Sequence, residues 1–206
     1  PIVVAGHREG GIFAAQLAEV LSKDFSVKAT CLISTGAPEP DIAGFDMAPD
    51  TFRRSMLATR TMPSALRLGY RAARKVFLAG QAGEKQIISY SLKDSPVDQA
   101  LLQDPKYWEI ARENMLYCFE NTDQIVDDFT LWTSNWGQKA ETPDHAAAPW
   151  VFVQGQSHDF LRPDRVQSFC QENPSCRLHL IPDTSQLMIY QDPAGVVQII
   201  VDLFRG

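Results

Sequence analysis

The sequence predicts an α/β protein, and three observations carry that expectation. The chain opens on a short β-branched run, Ile2-Val3-Val4. A glycine-flanked turn follows, Gly6-His7-Arg8-Glu9-Gly10-Gly11, and then helical spacing from Ile12 to Leu21. Further apolar runs of strand length lie at Val27 to Thr35, Trp150 to Gln154 and Cys176 to Ile181. Between the first two of these, Asp50 to Asn135 is helical by pattern. Strands separated in this way by helices make a sheet with helices on its faces.

Each element has a local reason. Ile2, Val3 and Val4 read as a strand buried on both faces. The first helix is expected to turn Ile12, Phe13, Leu17, Val20 and Leu21 inward. Ser22 to Ser26 is a polar connection, Gly36-Ala37-Pro38 ends the second strand, and Glu39 to Pro49 is a loop. In the helical stretch Asp50 is an N-cap, Pro63 opens a helix and Gly80 is placed to end it. That helix has an apolar face of Leu66, Tyr70, Ala73 and Phe77 and a solvated face of Arg67, Arg71, Arg74 and Lys75. Asp94-Ser95-Pro96-Val97-Asp98 caps a short helix. Pro105 opens a longer one with Trp108, Ala111, Met115 and Phe119 inside, and Asp123 caps a last one carrying Ile125, Val126, Phe129 and Trp132. Trp136 to Ala148 is a linker rich in Ala and Pro. Pro163 to Glu172 is a helix, and Pro193 opens a final helix ending near Phe204.

Composition narrows the function. The 206 residues suffice for one domain with a large core and a cap. A net charge of −6 argues against nucleic-acid contact by this portion. No apolar run reaches the ~18 residues of a membrane span, and no signal peptide is visible, so a cytoplasmic location is expected. Of the four cysteines, Cys31 and Cys118 read as buried free thiols. Cys170 and Cys176 flank a helix-to-strand turn, near enough to approach, and are expected to be reduced. No His/Cys/Asp/Glu cluster has metal spacing and no nucleotide-binding glycine motif occurs, so no metal and no cofactor are expected.

The frame Gly6-His7-Arg8-Glu9-Gly10 has the form of a nucleophile elbow, G-x-S-x-G, with Arg8 in the serine's place. It resembles the α/β-hydrolase superfamily, whose elbow often reads G-H-S-x-G-G. Val27 to Pro38 resembles that family's next strand. Pro149 to Pro163 (PWVFVQGQSHDFLRP) resembles the strand that carries the catalytic acid, and Ile181 to Pro193 (IPDTSQLMIYQDP) the histidine loop, with Gln186 at the histidine position. The resemblance implies a partial α/β-hydrolase fold of about four parallel strands flanked by helices, with a helical lid. Residues 1–38 and 149–206 would form the C-terminal half of the core, and 39–148 the lid and linker. It further implies that this is part of a longer polypeptide. Upstream polypeptide or another protomer would then cover the apolar edge Ile2 to Ala5.

The three triad positions are Arg8, Asp159 and Gln186, with His158 an alternative holder of the acid position. A guanidinium stays protonated and offers only donors, so Arg8 is no nucleophile. An amide has no proton affinity of use near neutral pH, so Gln186 is no base. His7, Ser34, Ser157 and His158 are the substitutes on paper. His145 and His179 read as structural or exposed. The candidate ligand-binding set is His7, Arg8, Glu9, Ser34, Ser157, His158 and Asp159, for a small molecule, an anion being the kind that suits Arg8. Arg8 needs an acceptor, either Asp159 or a ligand carboxylate or phosphate; the alternative is a side chain turned out to solvent. Three functions stay open. The adopted one is a catalytically degenerate pseudoenzyme that senses a ligand or regulates, as in the C-terminal domain of a bacterial transcription regulator; Asp94 to Leu102 is similar to the D-S-P-x-D-x-A-L-L lid of several bacterial hydrolases, some of which resemble the C-terminal half of such regulators. The others are an active hydrolase of a small ester, amide or lactone using another constellation, and a ligand-free structural or dimerisation module.

Overall fold

The computed structural model describes residues 1–38, 50–133, 148–158 and 161–206, with the backbone alone at 50–53 and 132–133. The expectations for the 39–49 loop, most of the linker with His145, the Asp50 cap, the Trp132 side chain and Asp159 lie outside these residues or side chains. The chain forms two compact units, one of residues 1–40 with 135–206 and one of residues 41–134.

The first unit is built on four strands, β1 (Ile2–His7), β2 (Val27–Ile33), β3 (Trp150–Gly155) and β4 (Cys176–Ile181). They form one sheet in the order β1-β2-β3-β4. Every pairing is parallel, with Val3 opposite Ala29, Cys31 opposite Val151 and Val153 opposite His179. With helices numbered along the whole chain, α1 (Gly10–Leu21) crosses from β1 to β2 and α8 (Pro163–Glu172) from β3 to β4. After β4 come α9 (Met188–Gln191) and α10 (Pro193–Arg205).

The two-residue period of the strands sorts their side chains onto two cores. Leu32, Trp150, Phe152 and Cys176 pack on one face with Ala15 of α1 and Val166 of α8. Cys31, Ile33, Val153 and Ile181 pack on the other with Met188 of α9 and Val196 of α10. β3 is buried at every residue, so its continuous apolar run is explained by helices on both faces. Phe152 is fully buried and contributes roughly 2–3 kcal/mol in transfer terms.

Two expectations are corrected in this unit. β1 is not buried on both faces: among the described residues it is an edge strand, with Val4 buried and Ala5 exposed. The inward face of α1 is Gly11, Ile12, Ala14, Ala15 and Ala18. Phe13, Leu17 and Val20 are 49%, 49% and 59% exposed. Small residues let the helix lie close on the sheet. The periodicity of hydrophobic residues had pointed to the large ones instead.

The second unit is helical: α2 (Asp50–Thr61), α3 (Pro63–Phe77), α4 (Gln81–Ser91), α5 (Pro96–Leu101), α6 (Pro105–Glu120) and α7 (Thr122–Thr133). Met56, Phe77, Ile88, Leu92, Phe119 and Val126 are buried apolar side chains of this unit. Phe77 meets Phe119 at 5.3 Å between ring centroids, and Tyr70 stacks on Phe129 at 6.1 Å. The apolar face expected for α3 is therefore the packed one. On its other face Arg67 pairs with Asp127 at 2.8 Å and Arg71 with Asp123 at 2.9 Å. Asp123 thus lies inside the first turn of α7 and is not its cap; Asn121 Oδ1 accepts from the Gln124 amide. Gly80 does not end α3, which stops at Phe77 with Leu78 as its cap; at φ 122 it turns the chain into α4. The cap of α5 is Ser95, whose hydroxyl donates to the buried Asp98 carboxylate at 2.6 Å. Cys118 is exposed, contrary to expectation. No described helix is long and apolar enough to cross a membrane.

Candidate functional site

Four strand ends of the first unit meet where their carboxyl termini lead into loops, and the turn after β1 is the tightest of them. Arg8 has φ 54, a left-handed conformation that costs a non-glycine residue about 1 kcal/mol or more. The surroundings over-determine it. The Arg8 amide donates to Ile33 O at 2.8 Å, and its carbonyl accepts from the Gly11 amide at 2.9 Å and the Thr35 hydroxyl at 2.9 Å. Two glycines make room for this. A Cβ on Gly6 would collide with the Gly10 carbonyl, and one on Gly11 with the Thr35 side chain. The turn is therefore a sharp strand-to-helix elbow with Arg8 at its apex.

The Arg8 side chain is about one-third exposed, and its guanidinium meets Glu9 Oε1 at 3.5 Å. Among the described residues Glu9 is the carboxylate that meets Arg8; the acceptor expected at Asp159 lies outside them. A loose, part-exposed pair of this kind is worth about 0–1 kcal/mol. It leaves most of the guanidinium's donors to other acceptors. Arg8 also stands at the positive end of α1, where a cation is disfavoured and an anion favoured.

Two histidines flank the elbow. His7 Nε2 lies 3.1 Å from the Gln186 carbonyl, and its pKa is held below the usual 6.5 first by burial and then by Arg8. His158 is 2% exposed, and its pKa is pushed down to about 3, first by burial, then by Arg8 and then by His7. Its Nδ1 accepts from the Leu161 amide at 3.0 Å, which places the proton of the neutral ring on Nε2. The ring's lone pair is thereby committed, and His158 is a poor base.

The β3 and β4 ends close the floor. The Ser157 amide donates to the Thr184 carbonyl at 2.9 Å, and Ser157 itself is half-buried. A Cβ on Gly155 would strike Thr184 and Ser185, so these two loops cross in close contact. Gln186 is buried at 4% exposure. Ser34 has φ 48 and is fully buried, and its Oγ has no hydrogen-bond partner among the described residues. It lies beneath the elbow, closed off from solvent.

Five of the candidates therefore share one neighbourhood, His7, Arg8, Glu9, His158 and Gln186, coupled by charge or by hydrogen bonds. Ser157 and Ser34 are placed near it through backbone bonds. Sequence reasoning missed Thr35, which clamps the elbow, and Gln154, whose fully buried amide donates to the Thr35 carbonyl at 2.5 Å. The Gly10-Gly11 doublet was the available signal for Thr35, since the second glycine is needed only because something packs against it. Among the described residues no group of three His, Cys, Asp or Glu side chains is arranged to hold a metal.

Solved structures share the fold of this chain. MGS-M2, an α/β-hydrolase enzyme from a Medee basin deep-sea metagenome library, superposes with a TM-score of 0.61 at 14% identity, over 99% of this chain and 65% of that one. This chain has the α/β-hydrolase fold. A thermophilic esterase from Thermogutta terrifontis, with malate bound, matches 100% of this chain and 65% of its own at TM-score 0.60 and 17% identity. The enol-lactonase from Burkholderia xenovorans LB400 matches 98% of this chain and 65% of its own at TM-score 0.63 and 12% identity. The chain thus spans 65% of the length of these α/β-hydrolase-fold structures. No protein-family model matches the sequence, and none of the curated proteins does.

Proposed function

We propose that this chain is part of an α/β-hydrolase-fold module that binds a small anion at its elbow and does not hydrolyse esters. The observation that carries the reading is Arg8 at the apex of the elbow, where the fold's hydrolases present a nucleophile. Its guanidinium is part-exposed, loosely paired with Glu9 and set at the N-terminus of α1. Fork-like donors beside a helix N-terminus suit a carboxylate or phosphate. Covalent acyl transfer needs a hydroxyl or thiol beside a base. Here the apex is a permanent cation, the histidine-loop position is the amide Gln186, and the nearest imidazoles, half-buried His7 and buried His158, have lowered basicity. In this reading the module is a sensing or regulatory part, of the kind found as the C-terminal domain of bacterial transcription regulators. Its support is the Asp94 to Leu102 segment, which is similar to the D-S-P-x-D-x-A-L-L lid of several bacterial hydrolases, some of which resemble the C-terminal half of such regulators.

The test combines binding and turnover. Malate, the ligand of the Thermogutta esterase, and inorganic phosphate are titrated calorimetrically against the chain and against Arg8→Ala. Loss of a charge-assisted contact is expected to weaken binding at least about tenfold, with the thermal midpoint near that of the parent. Hydrolysis of p-nitrophenyl acetate and butyrate is expected to equal the buffer rate. Turnover that Ser34→Ala, Ser157→Ala or His158→Ala abolishes would establish an active hydrolase with another constellation and overturn the reading.

A further inference from the structure

The feature that the elbow leaves unexplained is a pair of thiols on the far side of β3. Cys170 lies in the last turn of α8, and Cys176 is the first residue of β4. Five residues join them, and the turn is fastened at both ends. The Asn173 side chain donates to the Phe169 carbonyl at 2.7 Å, and the Cys176 amide donates to the Asn173 carbonyl at 2.8 Å. Both cysteines belong to one apolar cluster, Cys176 buried within it and Cys170 packed against it. The two thiols perturb each other's ionisation, which makes them neighbours across the turn. Neither is in a disulfide.

The two are not equivalent. Cys170 is part-exposed and lines a surface depression of about 330 Å³ together with Gln167, Gln171, Leu178 and Leu180. Cys176 has no such access. The neighbouring Cys176 holds the Cys170 pKa below the usual 9.0, and Cys170 together with burial pushes that of Cys176 up. A thiolate is the nucleophilic form, so accessibility and charge favour the same sulfur.

We propose that Cys170 and Cys176 form a redox-active pair, in which Cys170 is the peroxide-reactive thiol and Cys176 the thiol that resolves it. In the first step the Cys170 thiolate attacks one oxygen of hydrogen peroxide. An S–O bond forms, the O–O bond breaks, and hydroxide leaves as water after taking a proton. In the second the Cys176 sulfur attacks the sulfenic sulfur of Cys170. The S–S bond forms, the S–O bond breaks, and the Cys176 proton goes to the departing hydroxide. Two thiols and one peroxide give one disulfide and two waters. A thiol reductant reverses the change. The product ties the last turn of α8 to the start of β4.

The sequence provides an internal readout. Trypsin cuts after Arg165 and Arg177, so both cysteines fall on the single peptide Val166 to Arg177. Exposed Cys118 lies elsewhere and serves as the reference thiol. The folded chain is treated with hydrogen peroxide, quenched, denatured, alkylated and digested. The expected result is a Val166–Arg177 peptide lighter by two hydrogens and closed to alkylation until reduced, formed about tenfold faster than Cys118 is consumed. In Cys176→Ser, Cys170 is expected to stop at the sulfenic acid, which dimedone traps. In Cys170→Ser, Cys176 is expected to stay alkylatable. Oxidation of Cys118 with both Cys170 and Cys176 still alkylatable would overturn the proposal. So would an unreactive Cys170 in a folded Cys176→Ser chain, or a Cys176 that oxidises equally fast without Cys170.

Discussion

Arg8 and His158 show how single residues at this site depend on each other. The positive φ of Arg8 is held by Ile33, Gly11 and Thr35, and its charge then acts on half-buried His7 and buried His158. His158 titrates near 3 in the fold and near 6.5 when unfolded. Between those values the unfolded chain binds a proton that the folded chain does not. Stability is therefore whole above about pH 6.5 and falls as the pH drops toward 3, with a slope approaching about 1.4 kcal/mol per pH unit from this group. The lowered pKa of His7 acts in the same direction. Urea unfolding of the chain and of His158→Gln between pH 7 and pH 4 checks this. The variant is expected to lose stability more slowly as the pH falls, and parallel slopes would contradict the assignment. The glycines of the elbow were legible in the sequence, because a motif with fixed spacing encodes backbone conformation. The Thr35 clamp was not, because it depends on a neighbour brought in by tertiary contact, and the committed lone pair of His158 was not, because its bond to the Leu161 amide three residues on depends on local backbone geometry that no motif announces.

Elements were legible where local signals and burial agree. The start of α8 at Pro163, that of α10 at Pro193 and the bounds of β4 all follow from proline placement or an apolar run. α1 is the failure, and its cause is physical. Hydrophobic periodicity weighs side chains by transfer energy, which favours Phe13, Leu17 and Val20 over alanine. Close helix-to-sheet packing instead selects for small volume, which favours Ala14, Ala15 and Ala18. The two rules predict opposite mutational costs. Ala15→Leu adds volume to the cluster holding Leu32 and Phe152 and is expected to cost about 1–3 kcal/mol. Leu17→Gln changes an exposed position and is expected to stay within about 0.5 kcal/mol. Chemical denaturation of both variants decides the matter, and a large loss from Leu17→Gln would restore the periodicity argument.

At the scale of the whole molecule, one surface of the first unit stands out. Among the described residues no strand pairs with the outer edge of β1, and Ile2 to Ala5 carry no charge to discourage pairing. The helix that follows presents Phe13, Leu17 and Val20, which helical spacing sets on one face. A run of unpaired backbone groups and an apolar helix face on the same β–α unit together favour contact with another copy. The net charge of −6 opposes this, but at ~0.15 M salt repulsion is screened beyond ~8 Å, whereas burial of apolar surface acts at contact. The 206-residue chain is therefore expected to sediment above its monomer mass of 23.0 kDa at micromolar to millimolar concentration. Ala5→Lys combined with Leu17→Lys places a cation on the edge strand and another on the helix face, both at exposed positions. The double variant is expected to sediment as a monomer with an unchanged thermal midpoint. A parent chain that is monomeric throughout would show that neither surface drives association. A double variant that still associates would move the contact elsewhere on the molecule.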